Sequence, residues 1–574
     1  MNEQGWQLYR QGLNPLPAAN LSWPFRGGGL ENFGVSGQPI TEPIPTCGPD
    51  QLLVRVDAVG LCPSDAKMVK LGNNYPLFFN RDFQRDPGRL GHEVSLTIIE
   101  VGEQWREHYT PGQRLGLQPN IYLHGQRVIF GVNLPGALTQ YLTLGPEVLA
   151  ADGGSHVFPV PAAELSYVEI ALLEPWSCVE VAYSQYRRLE PRPGGVMWLK
   201  GRPGDEQNYT MSRPLDSARV ILTDVPEALA QWVQTQPVEV VVADGCAGET
   251  LRAELTGGTG FDDIILLDPR QADIIAASAN CLATRGVLNL VSPVPLDRPV
   301  SIDVARLHYE SISYLGCPGP DLAAAYGPAK NRSELRPGGI TWIVGAGGPL
   351  GRMHLQRALE MPDGPRVVIA TNRREARLAS LAQTFGSLAK ASGRELVLVS
   401  PTAEPGRLER EIARLTGGRG CDDIVAVAPT LAAIEQAVPF LAADGMLILF
   451  AGFPAGSRAD LPLDRVALSG AQITGTSGST VTDEVGTMAK VVSGQLSPAR
   501  SLVAIGGLRA ARAGLQAVME QTYPGKIVIF PQLLDLPLLG LPELHMTLPA
   551  VAAQLGPNQT WAPAAERVLF DHFL

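Results

Sequence analysis

No stretch of this chain approaches the roughly 18 consecutive apolar residues that a membrane-spanning helix needs, and Met1 to Leu13 carries no hydrophobic signal core. A membrane span is therefore excluded and a cytoplasmic protein expected. Positive charge is also in deficit. With 46 Lys and Arg against 57 Asp and Glu, the net charge is −11, which argues against a nucleic-acid or anionic-membrane partner because either needs a basic face. Cysteine is sparse, scattered and odd in number: Cys47, Cys62, Cys178, Cys246, Cys281, Cys317 and Cys421. That pattern suits reduced thiols or a single metal ligand better than a disulfide framework.

What is present is enough chain for several cores. At 574 residues, a prior of about 150 residues per domain suggests three or four. Up to about Leu189 the sequence reads as short strands and turns. Gln51 to Val59 alternates apolar and polar residues, Val94 to Val101 is strand-like, and Pro111-Gly112 and Pro135-Gly136 mark turns. Helical spacing takes over from Tyr167 to Arg188.

Beyond that point the chain repeats itself. Arg192-Pro-Gly-Gly-Val-Met-Trp-Leu-Lys-Gly201 matches Arg336-Pro-Gly-Gly-Ile-Thr-Trp-Ile-Val-Gly345, and Leu255-Thr-Gly-Gly-Thr-Gly-Phe-Asp-Asp-Ile264 matches Leu415-Thr-Gly-Gly-Arg-Gly-Cys-Asp-Asp-Ile424. Gly286-Val-Leu-Asn-Leu290 pairs with Gly445-Met-Leu-Ile-Leu449, and Gly316 and Gly319 correspond to Gly475 and Gly478. Four matches in one order predict two tandem α/β domains of common ancestry.

In the second copy the strand-like run from Ile340 leads into a glycine-dense turn. Gly345, Gly348 and Gly351 are spaced three apart, with Gly347, Pro349 and Leu350 between them. Missing side chains there let a backbone approach a pyrophosphate at the positive end of a helix, and Pro349 suits a first helical turn. An ordinary turn has the same glycines, but a second strand at Arg366 to Ala370 supplies the βαβ order that a nucleotide unit requires. In the first copy, Gly201-Arg-Pro-Gly-Asp-Glu206 replaces that turn. Asp205 and Glu206 are then expected where the pyrophosphate would meet a helix N-terminus, which predicts lost dinucleotide binding; acids that merely cap a helix fit an empty site equally.

Three separated segments carry candidate chemistry: Leu61-Cys62-Pro63-Ser64-Asp65, Gly91-His92-Glu93 and Leu173-Glu174-Pro175. A thiolate, an imidazole and a carboxylate make an open catalytic zinc site, whereas each residue alone has a structural explanation. Cys178, four residues after Glu174, shares its helical face and competes as a ligand.

Cys-x-Ser-Asp, then Gly-His-Glu with Glu100-Val101-Gly102, then Leu-Glu-Pro, a Rossmann domain and a closing Gly525-Lys-Ile-Val-Ile529 resemble the zinc-dependent medium-chain alcohol and polyol dehydrogenases. The likeness is greatest to the branch of sorbitol dehydrogenase and sorbose-1-phosphate reductase, and it covers roughly Leu30 to Ile529 when the first α/β copy is counted as additional. The resemblance implies an α/β plus β architecture: a GroES-like β-barrel catalytic domain and two Rossmann-like domains, the first degenerate. It implies an active site in the cleft against the Rossmann domain. It also implies one catalytic Zn2+ on Cys62, His92 and Glu174, with Glu93 as an inner ligand or an outer partner, Ser64 in the proton relay and Asp65 orienting the ligands. Family position favours Glu174 over Cys178. Relatives often carry a four-cysteine lobe for a structural zinc, but residues 113–135 contain no cysteine, so one zinc is expected.

These readings divide the chain into 1–189 (catalytic, completed by 522–574), 190–335 (degenerate Rossmann-like), 336–521 (dinucleotide-binding) and 522–574 (return strand and a surface-packed tail). The predicted activity is hydride transfer between a nicotinamide cofactor and a polyol, sugar or sugar phosphate. Thr371-Asn372-Arg373-Arg374 at the second strand's end offers guanidinium groups to a 2′-phosphate where NAD enzymes place an acid, which favours NADP(H) over NAD(H). Lys67, Lys70, Arg81, Arg85 and Arg89 are either a substrate-phosphate cluster or a solvated basic loop. A net non-redox reaction on a retained cofactor and a non-catalytic scaffold are the rival readings, and a homo-oligomer is compatible with the family.

Overall fold

A computed structural model describes residues 3–79, 81–161, 164–184 and 188–574. By contacts the chain forms two compact units, Met1–Cys178 with Gly478–Leu574, and Val179–Ser477.

The first unit is built on an eight-stranded, mainly antiparallel sheet. Its central strand, Leu52–Leu61, is buried along all ten residues because it pairs on both edges, with Glu93–Val101 on one side and Lys526–Phe530 on the other. Register slips at Leu53/Val54 and Val56/Ala58 mark bulges, which curve such a strand. This is the GroES-like β domain, and the return strand completes it.

The α/β part ends earlier than the expected 521. Leu502–Gly507 is a strand that pairs in parallel with Lys526–Phe530 and so draws residues 478–521 into the β-rich unit. The helical stretch expected from Tyr167 is two helices, Tyr167–Ala171 and Leu173–Val181; its residues 185–187 lie outside the described residues.

The C-terminal tail is also more than a surface layer. Phe570 is fully buried within 5.3–5.7 Å, centroid to centroid, of Trp6, Tyr9, Tyr167 and Phe530. The helices Glu3–Arg10 and Pro563–Phe573 thereby close one aromatic core. Within it, Glu566 accepts the Tyr167 and Val168 backbone N–H groups at 2.7 and 3.2 Å, and burial raises its pKa from 4.5 to about 7.

Because the folded chain holds this proton more tightly than the unfolded one, the contribution of Glu566 to stability is complete below pH 4.5 and is lost as the pH rises through about 7. The difference is worth about 3 kcal/mol. Glu566→Gln, which cannot ionise, should flatten that part of the stability profile. Urea unfolding at about pH 5 and about pH 8 measures it, and unchanged pH dependence in the variant would contradict the assignment.

The second unit contains both α/β copies in a single twelve-stranded sheet. Within each copy the strands are parallel, in the order third, second, first, fourth, fifth, sixth. Near-continuous apolar runs such as Ile340–Val344 suit strands covered on both faces. The repeated motifs hold each other. Asp262 accepts from Val196 N–H and Asp263 from Arg192 N–H at 2.9 and 2.8 Å; in the second copy, Asp422 accepts from Ile340 N–H and Asp423 from Arg336 N–H at 2.9 and 2.7 Å. The Trp198 and Trp342 indoles donate to Thr223 and Thr371, both at 3.0 Å.

The first copy departs further than its sequence suggests. Residues 201–218 form no helix, so Asp205 and Glu206 cap nothing. Asp205 instead accepts the Tyr209 hydroxyl at 2.7 Å, and Asp268 holds Arg202 and Arg270 at 2.9 and 2.8 Å. The phosphate-facing helix is absent and its place is taken by internal ion pairs, which makes this copy the degenerate one.

Candidate active site

Strand register brings the metal candidates together. Gly60 lies opposite Glu93, so Cys62, just beyond the end of one strand, and His92, just before the start of its antiparallel partner, emerge at the same end. Cys62 is also the N-cap of the helix Pro63–Leu71. Pro63 opens that helix without a donor to lose, and Asp65 accepts the Cys62 backbone N–H at 2.9 Å. Asp65 thus fixes the thiol's backbone. Its other oxygen lies 3.5 Å from His92 Nδ1 and accepts the Gly91 N–H at 3.3 Å. Ser64 Oγ is 3.4 Å from His92 Nε2.

Ligand atoms of Cys62, His92 and Glu93 all lie within 4.8 Å of one another. Glu93 is fully buried, and room for it exists because residue 60 is glycine: a Cβ there would sit 2.1 Å from Glu93 Oε2. Oε1 accepts from Lys526 Nζ, carried by the strand that pairs with the other edge of Leu52–Leu61. Oε2 is buried without a hydrogen-bond partner among the described residues. An orphaned carboxylate oxygen beside a thiol and an imidazole fits a cation that would satisfy it.

Glu174 is not in that tight trio. It is buried nearby, on Leu173–Val181, and accepts the Cys178 thiol at 3.7 Å. Burial and the Glu93 carboxylate raise its pKa to about 7 against the pull of His92 and Lys526. Burial, then Glu174, push the Cys178 thiol well above its usual pKa, so Cys178 is a protonated donor. For His92, burial opposes the charge but Asp65 and Cys62 outweigh it, leaving a pKa well above the ordinary value.

Glu484, fully buried and facing Glu174, was not among the sequence candidates. Its only local signal is an acid in a helix's first turn, with Thr480 capping through Asp483. The loop arginines do not form a phosphate cluster. Arg81 pairs with Asp86 at 2.8 Å, Arg85 with Asp82 at 3.6 Å and Arg89 with Glu42 at 3.3 Å.

In the second unit the glycines form a close turn at the start of a helix. Gly345 has φ +88°, and a Cβ on Gly351 would meet the Gly345 carbonyl at 2.4 Å, so the helix Pro349–Glu360 packs directly against the turn. Gly347 lies against Asn372, where a Cβ would come within 2.7 Å. Gly348 is open, and Gly348, Pro349 and Leu350 are partly exposed at the helix start.

Arg373 and Arg374 are exposed at the end of Val367–Thr371, and Asn372 accepts the Arg374 N–H at 3.0 Å. Arg377, missed from the sequence, donates to the Gly347 carbonyl at 2.6 Å. Burial, then its neighbour Arg374, lower its pKa; burial, then Arg377, bring Arg352 down to about 10. Positive charge is thus concentrated beside the glycine turn, with Arg374 close to Arg377 and Arg377 close to Arg352.

Comparison with known proteins bears on the family and the fold. The alcohol dehydrogenase GroES-like domain matches residues 48–151. The chain is 26% identical to the L-sorbose 1-phosphate reductase of Klebsiella pneumoniae over 329 residues, 53% of this chain and 78% of that protein. It is 32% identical to the uncharacterized protein YggP of Escherichia coli (strain K12) over 304 residues, 48% of this chain and 70% of that one. With the sorbitol dehydrogenase of Gallus gallus the identity is 27% over 205 residues, covering 33% and 52%. With that sequence kinship and a GroES-like domain, the chain belongs to the medium-chain alcohol and polyol dehydrogenase family.

Proposed function

We propose that this protein is a zinc-dependent oxidoreductase that uses NADP(H) in preference to NAD(H) to interconvert a secondary alcohol and a ketone on a polyol, sugar or sugar phosphate. The observation that carries this reading is the convergence of the Cys62, His92 and Glu93 ligand atoms within 4.8 Å. Cys62 and His92 would hold the ion with a carboxylate: Glu93 has the shorter reach, and Glu174 is the alternative drawn from family position. When bound, zinc supplies Lewis acidity to a substrate oxygen and the nicotinamide supplies or accepts hydride.

The chain's own residues do the rest. Asp65 faces His92 Nδ1, fixing the ring so that Nε2 is presented to the site. Ser64, half-buried beside that nitrogen, relays the proton leaving the alcohol, accepting it as its own hydroxyl proton passes on to solvent, and the relay runs in reverse in reduction. Lys526 neutralises Glu93 from behind. The reductase and sorbitol dehydrogenase among the relatives support a polyol or sugar substrate. The carboxylate pairing of Arg81, Arg85 and Arg89 gives no support to that loop as a phosphate holder.

The test is turnover of the zinc-loaded chain against a panel of polyols, ketoses and their phosphates with each cofactor. Activity that requires zinc and is faster with NADP(H) is expected; full turnover after zinc removal would overturn the proposal. Arg373→Ala with Arg374→Ala should reduce the NADPH-over-NADH binding preference by about 10–100-fold, as loss of charge-assisted bonds to a 2′-phosphate implies. Fluorescence titration of the two reduced cofactors reads this directly, and an unchanged ratio would contradict the assignment.

A further inference from the structure

The two α/β copies meet as reciprocal partners. Ser313–Cys317 of the first pairs antiparallel with Gln472–Gly475 of the second, and Val300–Asp303 pairs antiparallel with Arg458–Leu461. The close contacts are reciprocal too. A Cβ on Gly475 would lie 1.8 Å from the Leu307 carbonyl oxygen, and one on the matched Gly316 would lie 2.6 Å from that of Val466. Equivalent residues facing each other across a junction are the signature of an internal two-fold relation, as in an isologous dimer.

The chemistry on the two sides of this junction is unequal. Counting along the repeat from Gly316 and Gly475, His308 and Tyr309 of the first copy correspond to Ala467 and Leu468 of the second, and Pro293 corresponds to Gly452. The larger, polar pair therefore belongs to the copy without a phosphate cradle, and it reaches the copy that has one. Tyr309 is half exposed, and a Cβ on Gly452 would come 2.7 Å from its hydroxyl oxygen. His308 Nδ1 lies 3.5 Å from the Leu449 carbonyl oxygen, and its ring packs edge-on against Phe450.

Leu449 to Gly452 follow the carboxyl end of the strand Leu441–Leu449, where ligands of such sheets bind. The ribose-reading residues 371–374 end the strand on one side of Ile340–Val344, and Leu441–Leu449 lies on the other side, beyond Cys421–Ala426. A dinucleotide whose pyrophosphate sits on the glycine turn thus points its nicotinamide half toward Gly452.

We propose that the first copy completes the cofactor site of the second: Tyr309, admitted by Gly452, presents its hydroxyl to the nicotinamide half of the bound dinucleotide. This rests on the dinucleotide reading above. It also gives the degenerate copy a role, since a hydroxyl that both donates and accepts suits a carboxamide.

The test compares binding of NADPH with binding of 2′-phospho-ADP-ribose, which lacks the nicotinamide, in the full chain, in Tyr309→Phe and in Gly452→Ala. Both variants should bind NADPH about 5–10-fold more weakly, the loss of roughly one hydrogen bond, and bind 2′-phospho-ADP-ribose as the parent does. Unchanged NADPH affinity in Tyr309→Phe, or equal weakening of both ligands, would overturn the proposal. If the parent chain binds neither ligand, the dinucleotide reading itself fails, and this one with it.

Discussion

Cys62→Ala and His92→Ala should each purify with far less than one zinc per chain and lose at least the roughly 10²–10³-fold in turnover that removal of a single electrostatic stabiliser costs. The structure makes the two substitutions informative in different ways. Cys62 caps a helix through its backbone and through Asp65, so alanine there leaves the local fold in place. His92 is buried against Asp65, and its loss leaves that carboxylate without the imidazole. Cys178→Ser is the matched control: its thiol is a donor to Glu174, and zinc content should be retained. Zinc measured by mass spectrometry alongside turnover checks all three. Retained zinc and activity in Cys62→Ala would contradict the proposed ligand set.

Lys526→Met is expected to destabilise the zinc-free protein by about 3–5 kcal/mol, because a buried carboxylate loses its hydrogen-bonded ammonium partner. Lys526 and Glu93 are 2% and 0% exposed, so solvent does not screen the pair. Burial opposes the charge on Lys526 and Glu93 outweighs it, leaving the ammonium's pKa raised. Adding Glu93→Gln should recover part of the loss, since the uncompensated charge is then gone. Zinc should shrink the penalty in the single variant, because the ion takes over the neutralisation of Glu93. Urea unfolding with and without zinc measures both effects; a loss under about 1 kcal/mol in the single variant, as for an exposed ion pair, would contradict the buried-charge account.

Much of this arrangement is legible along the chain because its signals are local. The strand ending at Leu61, the Pro63 helix start, the Gly-His-Glu at a strand's beginning and the glycine turn after Val344 are each encoded within about a dozen residues. The repeat was readable for the same reason, and the structure explains its spacing: each Asp-Asp motif anchors its own Arg-Pro-Gly-Gly turn.

What escaped the sequence depends on distant partners. Glu93 and Lys526 are 433 positions apart, and only the register across Leu52–Leu61 makes them neighbours and gives Glu93 a shorter reach to Cys62 and His92 than Glu174 has. The strand Leu502–Gly507 is an apolar run of six whose short length suits helix or strand equally. Arg377 reads as an ordinary helical residue until Gly347 is brought against it. The loss of the first copy's helix did leave a trace, in Pro203, Gly204 and Pro214 within a stretch without apolar periodicity.

The measurement that bears most directly on the central claim is X-ray absorption at the zinc edge of the metal-loaded chain. One sulfur at about 2.3 Å with nitrogen and oxygen ligands at about 2.0–2.2 Å is the result this account predicts. A shell with no sulfur, or with two or more, would contradict a site made of one thiolate, one imidazole and a carboxylate.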